Sequence, residues 1–223
     1  MQTYPENSRT IHLEESLGEV AVRIYQEETA LGEIGGLPKD IQGSQATAVQ
    51  KCRVIAEEVL RGAGIEFSGP EKTKHLCLYQ PHLHKKGILF TAFIFSLVIA
   101  DIVSIEYLWT SDSDTIVFPE TLSGATTVID ADPAAGGSST GLILHNQRDT
   151  TVTRICSAVY WNELYLGRSL PASGGASDCQ SGPCAAFRVA ALPPILLQWY
   201  TQRVLGCHMV LLSHSLSSRP PPP

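Results

Sequence analysis

An α/β domain with a mainly parallel sheet is the fold class this sequence predicts, on two observations: helical and strand-like runs alternate along the chain, and Gly and Pro clusters punctuate them. From Gln45 to Gly62, the apolar residues Val49, Cys52, Ile55, Val59 and Leu60 recur at helical spacing, and Gly62 and Gly64 supply a stop. Leu76 to Tyr79 reads as a short buried strand ended by Gln80-Pro81, since the ring of a proline drives the residue before it out of helical conformation. A helix from about Lys86 to Ala100 leads into a β-rich run, Val103 to Trp109. Pro119 and Glu120 suit the first turn of a helix running to Ile129, and a strand from Thr140 to His145 follows a Gly-rich loop. Helix returns from Val152 to Leu166 and again from Val189 to Leu205, with Pro193-Pro194 as an internal break. In such a sheet ligands gather at the carboxyl ends of strands.

With 223 residues, 43% hydrophobic and 17% charged, the chain can bury a real core and fits one medium domain. Its 16 Lys+Arg against 22 Asp+Glu leave a net charge of -6, which offers no diffuse basic surface to neutralise a phosphate backbone, so no nucleic-acid partner is expected. Six scattered cysteines lack paired metal-type spacing and point to a reducing compartment. The polar start, Met1 to Thr10, shows no signal peptide. The apolar run Ile88 to Ile105 raises the question of a membrane span. Asp101 lies inside it, and a carboxylate in hydrocarbon costs about 2.5–3.5 kcal/mol, so a core helix running into a strand is the preferred reading. The tail Ser213 to Pro223 ends in four prolines and reads as unfolded.

The segment Tyr107-Leu-Trp-Thr-Ser-Asp112-Ser113-Asp114-Thr115 is the most informative. Two carboxylates two residues apart, just past a hydrophobic strand, point to the same side and can face a hard cation or a ribose-phosphate group. Taken alone, the pair is weak evidence, and solvated loop aspartates are the simpler reading. A third reading, a cation-binding or phosphohydrolase domain, needs a further carboxylate or His near Asp114, for which the sequence offers His145, Asp130 and Asp132. Trp161 and Tyr165, at helical i and i+4, read as core aromatics. Cys179 and Cys184 have no partner pair for a metal.

Context sharpens this, because several segments resemble one family in order. The Asp112–Thr115 run resembles the DSDT-type motif of hyaluronan synthases, chitin synthases and their fungal capsule-associated relatives in glycosyltransferase family 2. Upstream, Gln80-Pro81-His82-Leu83-His84-Lys85-Lys86 is similar to that family's Gln-Pro-x-x-Gly-Lys-Arg segment, with His84 for Gly and Lys86 for Arg; lysine keeps the charge but loses the bidentate fork. Downstream, Gly136-Gly137-Ser-Ser-Thr-Gly141-Leu-Ile-Leu-His-Asn146 resembles the family's Gly-x-x-x-Gly strand, and Tyr160-Trp161 through Arg168-Ser169 its following helix. Asp178-Cys179-Gln180-Ser181-Gly182-Pro183-Cys184-Ala-Ala-Phe187-Arg188 resembles its Cys-x-Ser-Gly-Pro segment, and Gln198-Trp199 through Leu205-Gly206 the stretch before its base motif.

The resemblance implies a nucleotide-diphospho-sugar transferase (GT-A-like) domain, incomplete, over residues 26–206, flanked by a poorly assigned segment 1–25 and a divergent tail 207–223. It implies a sugar transferred from a UDP-sugar donor to a β-linked glycan acceptor with inversion, Mg²⁺ or Mn²⁺ as cofactor at Asp114, and donor contacts from Lys85, Lys86 and Asp112. Ser181, Gly182 and Pro183 would lie by the acceptor, where small residues let backbone approach a sugar ring. Full-length members sit in the plasma membrane with a cytosolic catalytic domain. The family's general base and its Gln-x-x-Arg-Trp motif have no counterpart, and no acidic residue follows Asp178, so no catalytic base is assigned. Loss of a base costs about 10²–10⁴ in rate, which makes a truncated transferase, or a non-catalytic nucleotide-sugar-binding or inert remnant, the two expectations.

Overall fold

The computed structural model of the chain describes residues 7–34, 41–69, 72–81, 84–169, 184–204 and 207–208. In chain order these form β1 (Ser8–His12), α1 (Leu17–Ile34), α2 (Ile41–Gly62), β2 (His75–Tyr79), α3 (Lys85–Val103), β3 (Tyr107–Ser111), α4 (Pro119–Ala131) and β4 (Gly137–Ser139). Then come α5 (Thr151–Trp161), a π-helix (Asn162–Gly167), β5 (Cys184–Arg188), a 3-10 turn (Val189–Ala191), α6 (Pro193–Thr201), β6 (Arg203–Val204) and β7 (Cys207–His208). The chain is mixed α/β and divides into two compact units, Met1–Glu106 with Leu192–Met209, and Tyr107–Ala191 with Val210–Pro223.

In the first unit β1 and β2 pair in parallel, from Ser8 opposite His75 to His12 opposite Tyr79. Ser16 starts α1: its carbonyl accepts from the Glu19 and Val20 amides at 3.0 and 3.2 Å, and its Oγ accepts from the Gly18 amide at 3.2 Å. The Leu17 amide donates to the buried Thr91 Oγ1 at 3.2 Å, tying α1 to α3. On α2 the buried residues are Ala48, Val49, Cys52, Ala56 and Leu60, a helical stripe whose alanines permit close approach. Facing it, α3 buries Phe90, Phe93, Ile94, Leu97 and Val98, and α6 closes the cluster with Leu196, Leu197, Trp199 and Tyr200. Each such large apolar side chain stabilises the fold by about 1.5–3 kcal/mol.

By length and composition α3 could cross a membrane, and it is the one such helix among the described residues. Here its buried face is the core of this unit, and the embedded Asp101 pairs with Arg53 of α2. The helix runs past the expected Ala100 and stops where Ser104 turns left-handed (φ 57°), its amide bonded to the Ala100 carbonyl. The expected strand therefore starts at Tyr107 and not at Val103.

In the second unit β5 lies between β3 and β4 and pairs with both antiparallel. The expectation of a mainly parallel sheet is thus corrected: among the described strand pairs only β1–β2 is parallel. β5 is the cause, because Cys184 to Phe187 are buried on both faces and leave no alternation to read. The expected strand Thr140–His145 is instead the three-residue β4 at Gly137–Ser139. A Cβ on Gly137 would stand 2.7 Å from the Ala186 carbonyl oxygen, so β4 can approach β5 there only through glycine. Ala125, Ile129 and Ala186 form the core, with Tyr107, Trp109 and Ala135 packed on it. Thr150 and Thr153 cap α5 reciprocally, a capping-box geometry that starts the helix just ahead of the expected Val152. The single helix expected from Val189 to Leu205 resolves into the 3-10 turn, α6 and β6.

Candidate functional site

β3 ends at Ser111, and the chain then turns: the Thr115 amide donates to the Asp112 carbonyl at 3.1 Å, as does the Ser111 hydroxyl at 3.1 Å. Asp112 is half-buried and Asp114 exposed, so the two carboxylates leave a strand end in one short turn. Two hard oxygen ligands suit Mg²⁺ or Mn²⁺ when phosphate oxygens and water complete the shell. Among the described residues there is no group of three or more His, Cys, Asp or Glu able to hold a metal by itself. The further carboxylate or His that the phosphohydrolase reading needs near Asp114 is not found among the described residues. Asp130 accepts from the Tyr107 hydroxyl, Asp132 Oδ1 accepts from the Ala134 amide at 2.9 Å, and His145 is exposed.

The β3–β5 register sets what faces this turn. Ser111, the residue before Asp112, is opposite Cys184, the residue after Ser181-Gly182-Pro183; those three lie outside the described residues. At the other end Tyr107 is opposite Arg188, whose guanidinium donates to the carbonyls of Ile129 at 3.0 Å and Ala135 at 3.4 Å. Sequence reasoning quoted Arg188 within a motif and gave it no role; the signal was an arginine ending an apolar strand.

In the first unit, His84 Nδ1 accepts from the Gly87 amide at 3.0 Å, so the histidine standing where the related motif has glycine caps α3. Lys85 is exposed. Lys86 is 2% exposed: its ammonium donates to the Gln202 carbonyl at 3.1 Å and lies 5.6 Å from the centre of the Trp199 ring. Burial holds its pKa below the usual lysine value. Both polar atoms of the Gln80 amide are buried with no hydrogen-bond partner among the described residues.

Trp161 and Tyr165, expected in the core, are 54% and 43% exposed. The helix bearing them has no buried residue, because α5 and the π-helix lie on the surface of their unit. Their rings stack at 5.8 Å with 24° between planes.

The chain is therefore a mixed α/β protein with a carboxylate pair at a strand end. Its similarity is to hyaluronan synthases: it is 29% identical to hyaluronan synthase 3 of Homo sapiens over 130 residues, 58% of this chain and 23% of that protein. It is 28% identical to hyaluronan synthase 2 of Heterocephalus glaber over 134 residues, and 28% identical to that of Rattus norvegicus over 133, each 60% of this chain and 23% of the relative. The chain spans about a quarter of the length of these relatives (23%). No family model matches it.

Proposed function

We propose that the chain carries part of the catalytic domain of a polysaccharide glycosyltransferase of family 2, one that binds a UDP-sugar and extends a β-linked glycan with inversion at a plasma membrane. The observation that carries this reading is the register of β3 and β5: the chain leaves β3 toward Asp112 opposite the point where it enters β5 from the Ser181-Gly182-Pro183 segment. One antiparallel ladder then serves donor and acceptor. The similarity to hyaluronan synthases supports the same reading.

In this mechanism Asp114 would hold Mg²⁺ or Mn²⁺, and Asp112 would contact the ribose or water beside the cation. When bound, the cation stabilises the charge that builds on the departing diphosphate. Of the two lysines expected at the donor, Lys85 is exposed at the start of α3 and can meet a phosphate, whereas the Lys86 ammonium is held by the Gln202 carbonyl inside its own unit. Ser181, Gly182 and Pro183 hold the acceptor sugar close, so that its hydroxyl is presented in line with the anomeric carbon.

Calorimetric titration of UDP into the chain with Mn²⁺ tests the donor site. Metal-dependent binding that Asp114→Ala abolishes is the expected result; binding that is equal without metal, or unchanged in the variant, refutes it. A second reading, nucleotide-sugar binding without turnover, is favoured by the inward course of Lys86 to the Gln202 carbonyl. Sugar transfer from a labelled UDP-sugar separates the two readings, since only the first gives product.

A further inference from the structure

We propose that the start of α3 is an acid-sensitive latch, held shut while the His84 imidazole is neutral and opened when it takes up a proton. His84 stands at the N-cap of α3 in extended backbone (φ −163°, ψ 165°), and its Nδ1 accepts from the Gly87 amide at 3.0 Å. Its carbonyl accepts from the Gly87 and Ile88 amides at 3.0 and 3.2 Å, so the first turn closes on this one residue. The residues that usually fill such a place, Ser, Thr, Asp and Asn, accept through a side-chain oxygen. Histidine accepts through a ring nitrogen lone pair, the same lone pair that binds the proton when imidazole becomes imidazolium.

Protonation turns that acceptor into a donor aimed at another donor, and it adds positive charge where the backbone is already positive. The amides of the first turn form the positive end of the helix dipole, and Lys85 and Lys86 follow directly. From α6, the Tyr200 ring faces the imidazole, 6.1 Å between centres. Burial, and then the charge of Glu19 on α1, hold the Tyr200 phenol above its usual pKa, so it carries no negative charge to offset an imidazolium. Glu19 itself is exposed to solvent, which screens it. Among the described residues, the charged groups of α3 beside His84 are thus both cations, and the group that α6 brings to it is neutral.

The rest of α3 limits how far the latch opens. Phe93, Ile94 and Leu97 are buried in the core of the unit, so the helix beyond its first turn stays anchored. Inside that turn, the Lys86 ammonium holds the Gln202 carbonyl at 3.1 Å, and Tyr200 packs on Phe90 at 4.8 Å between centroids. The side chain free to follow the opening is the exposed Lys85. Loss of the cap therefore unsettles the position of Lys85, and on the donor reading above, on which this one consequence rests, acid withdraws a phosphate contact. The latch itself stands on His84 alone and does not depend on that reading.

Hydrogen exchange of α3 between about pH 5 and 8, where imidazoles titrate, tests this, each rate being compared with that of the unstructured chain at the same pH. Protection of the Gly87 and Ile88 amides is expected to fall about three-fold to ten-fold toward the acid end, while that of the Phe93 amide stays level. His84→Asn, an acceptor that takes up no proton, keeps the protection at both ends of the range. His84→Gly, the residue of the related motif, lacks it at both. Protection in the parent that follows His84→Asn across the range, or a loss shared equally by Phe93, overturns the inference. Titration of UDP with Mn²⁺ into the parent and His84→Asn reads the consequence: on acidification the parent is expected to lose about three-fold to ten-fold more affinity than the variant. Equal losses overturn the link to Lys85. No UDP binding by either protein at the alkaline end refutes the donor reading, and the exchange result then decides the latch by itself.

Discussion

Arg188 and Tyr107 face each other across the β3–β5 ladder, with Arg188 Nη1 donating to the phenol oxygen at 3.3 Å and the guanidinium carbon 5.5 Å from the ring centre. The same guanidinium reaches the Ile129 and Ala135 carbonyls, and stands 3.9 Å from Asp130, which the Tyr107 hydroxyl also contacts. A cation against the last turn of α4 meets the negative end of the helix dipole. One side chain thus fastens strand β3, strand β5 and the end of α4.

Arg188→Met should therefore destabilise the second unit by about 1.5–3 kcal/mol, the range for hydrogen bonds to a charged group. Arg188→Lys should recover only part, since lysine lacks the fork. Hydrogen exchange of the β3 and β5 amides reads this; protection equal to the parent in Arg188→Met refutes it.

Gly18→Ala pits two effects against each other. Alanine gains about 1 kcal/mol of helix propensity in α1. Its Cβ would stand 2.4 Å from Tyr200 Cζ, however, and that ring is buried and packed on Phe90 at 4.8 Å between centroids. Overpacking costs about 1–3 kcal/mol, so net destabilisation is expected in chemical denaturation, and a gain in stability would show that Tyr200 moves freely.

Cys52 lies wholly inside the first unit, its thiol donating to the Leu17 carbonyl at 3.6 Å, and burial pushes its pKa from 9.0 up to about 12. Above pH 9 the unfolded chain releases this proton and the folded chain keeps it, so the thiol's contribution to stability falls as pH rises from about 9 toward 12. Cys52→Ala should remove that fall. In the native chain a thiol reagent should modify the exposed Cys77 and Cys156 and spare Cys52.

The two adjacent lysines should separate. On the donor reading Lys85→Ala should weaken UDP binding, which titration of UDP into the variant measures, since this side chain is exposed. Lys86 differs: its folded pKa is below the unfolded value, so the unfolded chain holds the proton more tightly and the contribution of this group to stability rises with pH between the lowered value and 10.5. Lys86→Met should abolish that rise in denaturation measured across alkaline pH. An unchanged pH slope would show that the ammonium reaches water.

The elements legible in the sequence are those with a face. The stripe Val49, Cys52, Ile55, Val59 and Leu60 announced α2, with Val49, Cys52 and Leu60 buried, and Pro119 announced α4, because one side of each helix is buried and the other wet. β5 was hidden by burial on both sides, and β1 by having only Ile11 buried among its five residues. The carboxylate pair was legible as residue types at a strand end. That Ser111 pairs with Cys184 was not, since a pairing across more than 70 residues leaves no local trace. Trp161 and Tyr165 were misread because helical spacing shows which residues share a face, and cannot show whether that face is covered.

The first unit takes its last helix, α6, from beyond an insertion of the second, since residues 107–191 intervene. A ribosome adding about 5–20 residues per second therefore releases α1, α2 and α3 several seconds before Leu196, Leu197, Trp199 and Tyr200 emerge to cover them. During that interval the apolar faces around Phe90 and Phe93 stand open, and the nascent chain is at its most prone to mispair with a neighbour or to need a chaperone.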